Sequence, residues 1–163
     1  VLNAMQSALF NDVLAARIHS DTFQVALAGD LMLKADSGGQ FVCTDAEVDQ
    51  ARMDAMEIHP TGPMFGPKMK RPALAVEEQE REILRQSGLE EDSWRRFAKL
   101  TQGTRRALRL DLSGLKLDWR EDGLWLSFDL PAGAYATVLL SELLIAEEPP
   151  RGPAEPAGPP KGQ

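Results

Sequence analysis

Apolar residues recur every three or four positions from Leu2 to Ile18, with Met5, Leu9, Val13 and Ala16 along one face and Leu2 and Leu14 beside it. That period predicts a helix. Residues 21–27 have no clear period. Leu31 to Ala35 and Gln40 to Thr44 then read as two strands, joined by the turn Asp36-Ser37-Gly38-Gly39, so a hairpin is expected. Asp45 is placed to cap a short helix reaching about Met56. Ile58 to Pro72 holds four prolines and two glycines, which predicts a loop. Ala75 to Gln86 returns to a helical period and stops at Ser87-Gly88. Asp92-Ser93 opens a further helix through about Leu100, ended by Gly103. Beyond it apolar and polar positions alternate: Leu108, Leu110 and Leu112, then Leu115, Leu117 and Trp119, then Leu124 to Leu130. With Glu121-Asp122-Gly123 as a turn, these segments predict an antiparallel meander.

The last alternation ends at Pro131, which lacks a ladder donor, and Gly133 permits a turn of unusual backbone angle. From Tyr135 onward, Ala136, Leu139, Leu140, Leu143 and Leu144 recur at helical spacing. Tyr135 is therefore expected in a first helical turn, near unpaired amides that favour an anion. Glu148 to Gln163 is almost wholly Pro, Gly, Ala and charge; it cannot bury enough to fold and is expected to be a disordered tail.

The chain has 163 residues, 43% of them hydrophobic and 26% charged, enough for one modest core plus extras. No run is long and apolar enough to span a bilayer, and the N-terminus lacks a secretory layout. Cys43 is the single cysteine, which excludes an intramolecular disulfide framework, and no His or Cys group has zinc-ligand spacing. A cytoplasmic, metal-free protein is expected. The net charge of −7 argues against a nucleic-acid partner until its distribution is considered. Between Trp94 and Leu110 there is no acidic residue, while Arg95, Arg96, Lys99, Arg105, Arg106 and Arg109 lie there with Trp94 and Phe97. Lys68, Lys70 and Arg71 form a second small cluster. A positive face on an acidic body is expected.

Five short words, in order, resemble the pseudouridine synthase D (TruD) family, which isomerises uridine in transfer RNA. They are Ser7 to Arg17 (SALFNDVLAAR), Gly29-Asp30 with Phe41-Val42, Thr61 to Gly66 (TGPMFG), Gly103 to Arg106 (GTRR), and Leu130-Pro131-Ala132-Gly133-Ala134-Tyr135-Ala136-Thr137. The resemblance implies an α+β fold: a helical and hairpin-bearing insertion domain, plus the C-terminal strands and helix of an incomplete α/β catalytic domain. It divides the chain into residues 1–22 as a linking helix, 23–101 as the insertion domain, 102–147 as the end of the catalytic domain and 148–163 as the tail. In that family the catalytic aspartate sits upstream in a GxKDxxAVTxQ-like segment. None occurs here, so the chain is expected to be part of a longer protein, to hold no catalytic residue and to be inactive alone. The intact protein is expected to be a monomer needing no cofactor, and the isolated segment to self-associate through apolar strand faces left without neighbours.

By resemblance, Tyr135 lies beside the target base, Pro131, Ala132 and Gly133 shape the backbone near the nucleotide, and Thr137 contacts a phosphate or its own helix. The substrate implied is uridine at position thirteen of tRNA. Ser141 stands where many relatives carry arginine, and Tyr135 where others carry Phe. Arg105 and Arg106 are expected to grip phosphate, since guanidinium forks match its geometry. Arg95, Arg96 and Lys99 are expected to add RNA contacts from a helix, against the commoner fate of a solvated face. His19, His59, Asp30, Asp118 and Asp129 read as structural or solvated. Two other readings stay open: a stand-alone RNA-binding module, and a non-enzymatic domain that binds another protein.

Overall fold

The computed structural model describes residues 2–112 and 114–129. They fall into two compact units, one up to Asp111 and one from Leu112.

Helix α1 (Leu2–His19) buries Gln6, Leu9, Phe10, Val13 and Arg17, a stripe with three- and four-residue spacing. Strands β1 (Leu31–Lys34) and β2 (Gln40–Val42) form the expected hairpin, with Leu31 opposite Val42 and Leu33 opposite Gln40. Gly38 has a φ of +68° at its tip. Helix α2 (Ala46–Asp54) starts where expected, because the Asp45 carboxylate accepts the amides of Glu47 and Val48, both at 3.2 Å. Helix α3 (Leu74–Gln86) turns Val76, Glu80 and Leu84 inward and ends at Ser87, before Gly88 with a φ of +74°.

The segment expected as a loop is corrected: residues 58–64 are β3 (Ile58–Met64), and every one of them is buried. Strand β4 (Thr104–Ala107) pairs with it, giving a four-stranded antiparallel sheet in the order β2-β1-β3-β4. The prolines survive in this inner strand because each missing donor falls where no rung is needed. An antiparallel residue aims its N–H and C=O at the same neighbour. The Pro60 carbonyl accepts the Leu108 amide at 2.9 Å, so its ring nitrogen faces the far end of β4. Pro63, three residues on, faces the other side, past the last β1–β3 rung at Met32 and Pro60. The rule that proline marks loops fails here because it counts prolines without asking which way each nitrogen points.

The expected meander is also corrected. Its first segment, Leu108 to Leu112, is not a strand; β4 lies just before it, over Thr104–Ala107, and joins β3. Strands β5 (Lys116–Arg120) and β6 (Gly123–Ser127) make a separate two-stranded hairpin in the second unit. The helix expected from Asp92 to Leu100 is a 3₁₀ helix, Glu91–Phe97. By packing, α1 and β4 share a core with the residues between them. Three buried apolar clusters make up this core: Ala26, Met32, Cys43, Met53 and Ile58; Leu9, Phe65, Leu84 and Trp94; and Phe10, Met64 and Leu108.

Candidate nucleic-acid interface

The basic residues of β4 part company by strand alternation. Arg105 is turned inward: it and the Glu80 carboxylate are 1% and 5% exposed at their side chains. Its two terminal nitrogens donate to the two Glu80 oxygens at 2.8 and 2.7 Å. One of them also donates to the Thr61 carbonyl at 2.6 Å and the other to the Met69 sulfur at 4.0 Å, while Nε donates to the Thr61 hydroxyl at 3.1 Å. No donor of this fork is left for phosphate, which corrects the expectation that Arg105 grips RNA. Arg106 faces the other way, half-buried, with its guanidinium 5.2 Å above the Phe10 ring. That contact holds the guanidinium plane against an aromatic face.

Arg17 and Asp30 form a second buried pair at 2.8 Å, and the same Asp30 oxygen accepts the Leu27 amide at 2.9 Å. Asp30 is therefore structural rather than solvated. Burial pushes the Glu80 carboxyl above the usual carboxylate value, against the pull of Arg105. Arg109, counted in the expected positive face, is buried as well, donating to the Met53 carbonyl.

What remains exposed gathers on the 3₁₀ helix and the turn after it. Arg95, Arg96, Phe97, Lys99 and Leu100 all face solvent, and among the described residues only Arg95 of these cations has an acidic neighbour, Asp92 at 3.3 Å. This turn is tied to the loop after β3. The Lys68 amide donates to the Gln102 carbonyl at 2.7 Å, and Gly66 and Gly103 meet backbone to backbone. A Cβ on Gly66 would lie 2.3 Å from the Gly103 nitrogen, and Gly103 has a φ of +80°, so only glycine fits this crossing. It brings exposed Lys68 beside the turn that carries Lys99. Cations with interleaved apolar side chains can neutralise phosphates and receive the faces of unpaired bases.

In the second unit, Leu117, Trp119, Leu124 and Leu126 lie on one face of the hairpin, as their pairing requires, and Trp119 is 80% exposed. On the other face Arg120 sits 4.3 Å above the Trp125 ring. Pro131, Ala132, Gly133, Tyr135 and Thr137, the expected uridine-pocket residues, lie outside the described residues. Among the described residues no three His, Cys, Asp or Glu side chains group as a metal site would, and no helix is long and apolar enough to cross a membrane.

Sequence reasoning missed Glu80, yet its signal was present. It sits between Val76 and Leu84 at four-residue spacing, a charge on an apolar stripe, and such a charge is normally paired. Arg17, four residues after Val13 on α1, carries the same signal.

A family model described as tRNA pseudouridine synthase D (TruD) matches residues 1–143. The tRNA pseudouridine synthase D of Anaeromyxobacter dehalogenans is 42% identical over 146 residues, covering 90% of this chain and 42% of that protein. Its counterpart in Geobacter sulfurreducens is 40% identical over 144 residues, covering 88% of this chain and 35% of the relative. The Thermus thermophilus protein of the same name is 37% identical over 161 residues, with 96% and 43% covered. A crystal structure from Methanosarcina mazei, described as a TruD-type synthase, superposes with a TM-score of 0.65 at 22% identity, over 84% of this chain and 36% of that one. It shows the fold, a mixed α+β arrangement. The chain thus spans less than half the length of the relatives it matches. With a family model matching residues 1–143, the chain belongs to the tRNA pseudouridine synthase D (TruD) family.

Proposed function

We propose that this chain is the C-terminal part of an enzyme that isomerises uridine to pseudouridine in tRNA, at position thirteen. Residues 23–101 act as its insertion domain, 1–22 link that domain to the catalytic one, and 102–147 belong to the catalytic domain. The exposed face of Arg95, Arg96, Lys99 and Lys68, together with Arg106, holds the RNA backbone. Pro131, Ala132, Gly133, Tyr135 and Thr137 form one wall of the uridine pocket. The nucleophilic aspartate comes from a segment outside this chain; it attacks the nucleoside, the bond from base to sugar breaks, and the base re-attaches through carbon. The reading invokes no metal or organic cofactor, and it places the reaction in the cytoplasm.

The observation that supports this best is the family match over residues 1–143, joined to a surface on which every cation of the 3₁₀ helix and its following turn faces solvent while the ion-paired Arg17 and Arg105 are buried. The test is tRNA binding by the purified chain across a salt series, with pseudouridine measured in the same tubes. Salt-sensitive binding without product is expected. Product formed by this chain alone would refute the external nucleophile, and absence of binding at low salt would remove the RNA face.

A further inference from the structure

Gln6 lies on the buried stripe of α1 with Leu9, Phe10 and Val13, only 4% exposed. A buried amide there must find partners. Its Nε2 has hydrogens for two acceptors and spends them on two segments far apart in the chain. One goes to the Phe65 carbonyl at 2.6 Å, just after β3, and the other to the Thr101 hydroxyl at 3.0 Å, in the turn after the 3₁₀ helix. The carbonyl can only accept, which fixes the orientation of the amide. The same hydroxyl accepts the Gly103 amide at 3.2 Å. Gln6 thus holds both sides of the crossing of Gly66 and Gly103, where two glycines offer no side chains to interlock. The Gln102 side chain donates to the Ala98 carbonyl at 2.5 Å, and the Gln102 carbonyl accepts the Lys68 amide. Lys68 on one segment, and Arg96 and Lys99 on the other, are therefore set against each other through this joint.

Cations on two segments neutralise one phosphate chain together only when their spacing is held. When either segment wanders, the second contact no longer comes with the first. An apolar side chain at position 6 would fill the same space and leave the Phe65 carbonyl and the Thr101 hydroxyl without the amide. A carboxylate would set an acceptor against the Phe65 carbonyl, itself an acceptor. The glutamine amide donates to both. We infer that Gln6 is a positioning residue for the RNA face. Buried and out of reach of RNA, it holds the Lys68 segment against the turn carrying Lys99, so that Lys68 acts with Arg96 and Lys99 on one run of phosphates. This rests on the reading of the chain as RNA-binding.

The test is a double-mutant cycle for tRNA binding by the full chain over a salt series. It uses Gln6→Met, Lys68→Gln and the two combined, each checked for folding by circular dichroism in the binding buffer. Lys68→Gln alone is expected to weaken binding about threefold and to lower the salt slope by about 0.7–0.9, the share of one phosphate. Gln6→Met is expected to do the same without removing a charge, and the combined variant to bind no worse than either. A merely stabilising side chain would leave the salt slope of the folded chain unmoved. Additive losses, or a folded Gln6→Met chain that binds as the parent does, would overturn the positioning role and leave the RNA face standing. So would a Lys68→Gln chain that binds as the parent does. If Gln6→Met unfolds the chain, Thr101→Val takes its place, since it removes only the hydroxyl end of the joint. It is expected to be non-additive with Lys68→Gln in the same way, and additivity there would overturn the role. A parent chain that binds no tRNA at low salt would overturn both readings.

Discussion

Replacing Arg105 by Met separates a structural cation from an RNA contact. The change removes the fork from a pair whose side chains are 1% and 5% exposed and strands the Glu80 carboxylate in a dry site. Breaking a buried pair from one side costs about 3–5 kcal/mol. The Thr61 carbonyl, which accepts from the same guanidinium at 2.6 Å, is left without that partner for about 1–3 kcal/mol more. The total, about 4–8 kcal/mol, approaches the roughly 5–15 kcal/mol that holds an ordinary domain together. Arg105→Met is therefore expected to unfold the first unit or leave it marginal. The double variant Glu80→Leu with Arg105→Met removes both charges, and such replacements come out neutral or better. It should recover all but about 1–3 kcal/mol, the share of the Thr61 carbonyl. Urea unfolding followed by circular dichroism measures each corner of the cycle. At a slope of about 1–3 kcal/mol per molar urea, the single change shifts the midpoint by well over about 1 M. A single variant as stable as the parent that binds tRNA less well would refute the argument and return Arg105 to the RNA face.

Arg95→Gln, Arg96→Gln and Lys99→Gln together should weaken tRNA binding and flatten its dependence on log salt by about 0.7–0.9 for each phosphate no longer neutralised, with the urea midpoint unchanged. Burial and the Arg109 guanidinium hold His59 below its ordinary value of 6.5, with Asp111 pulling the other way. The unfolded chain thus takes up a proton near pH 6.5 that the fold resists, so the stability tied to neutral His59 is full above that pH and declines as pH falls below it. His59→Gln should lose less stability than the parent between about pH 7 and pH 5, read from paired urea midpoints. Burial, with Asp49 beside it, pushes the Cys43 thiol up to about 12. At about pH 8 roughly one molecule in 10⁴ then carries the thiolate, so a disulfide reagent should label Cys43 only after denaturant is added. Rapid labelling of the native chain would contradict that burial.

The elements easiest to read were those whose local signals agreed: the stripe of α1, the Asp36 to Gly39 turn, the Asp45 cap and the Ser87-Gly88 stop. Strand β3 was unreadable because its prolines depend on where β1 and β4 end, which is a property of the sheet. The site divided in the same way. Arg95, Arg96 and Lys99 were expected on a helix and are exposed on a 3₁₀ helix and its turn. Arg105 and Arg106 are adjacent and chemically identical, and only the parity of β4 sends one to Glu80 and the other to Phe10. That parity follows from pairing with β3, so misreading β3 carried the error to Arg105. The charges at Glu80 and Arg17 could have corrected it, since each interrupts an apolar stripe.

Four of the five words that carried the family resemblance turn out to be parts that touch. Arg17 closes the first word and meets Asp30 of the second; Thr61 opens the third and receives Arg105 of the fourth; Gly66, which closes the third, crosses Gly103, which opens the fourth. A chimera that exchanges any one of these stretches between relatives imports half of a joint fitted elsewhere. Segments exchanged between relatives should therefore be cut outside these joints, or moved as a matched set with Glu80.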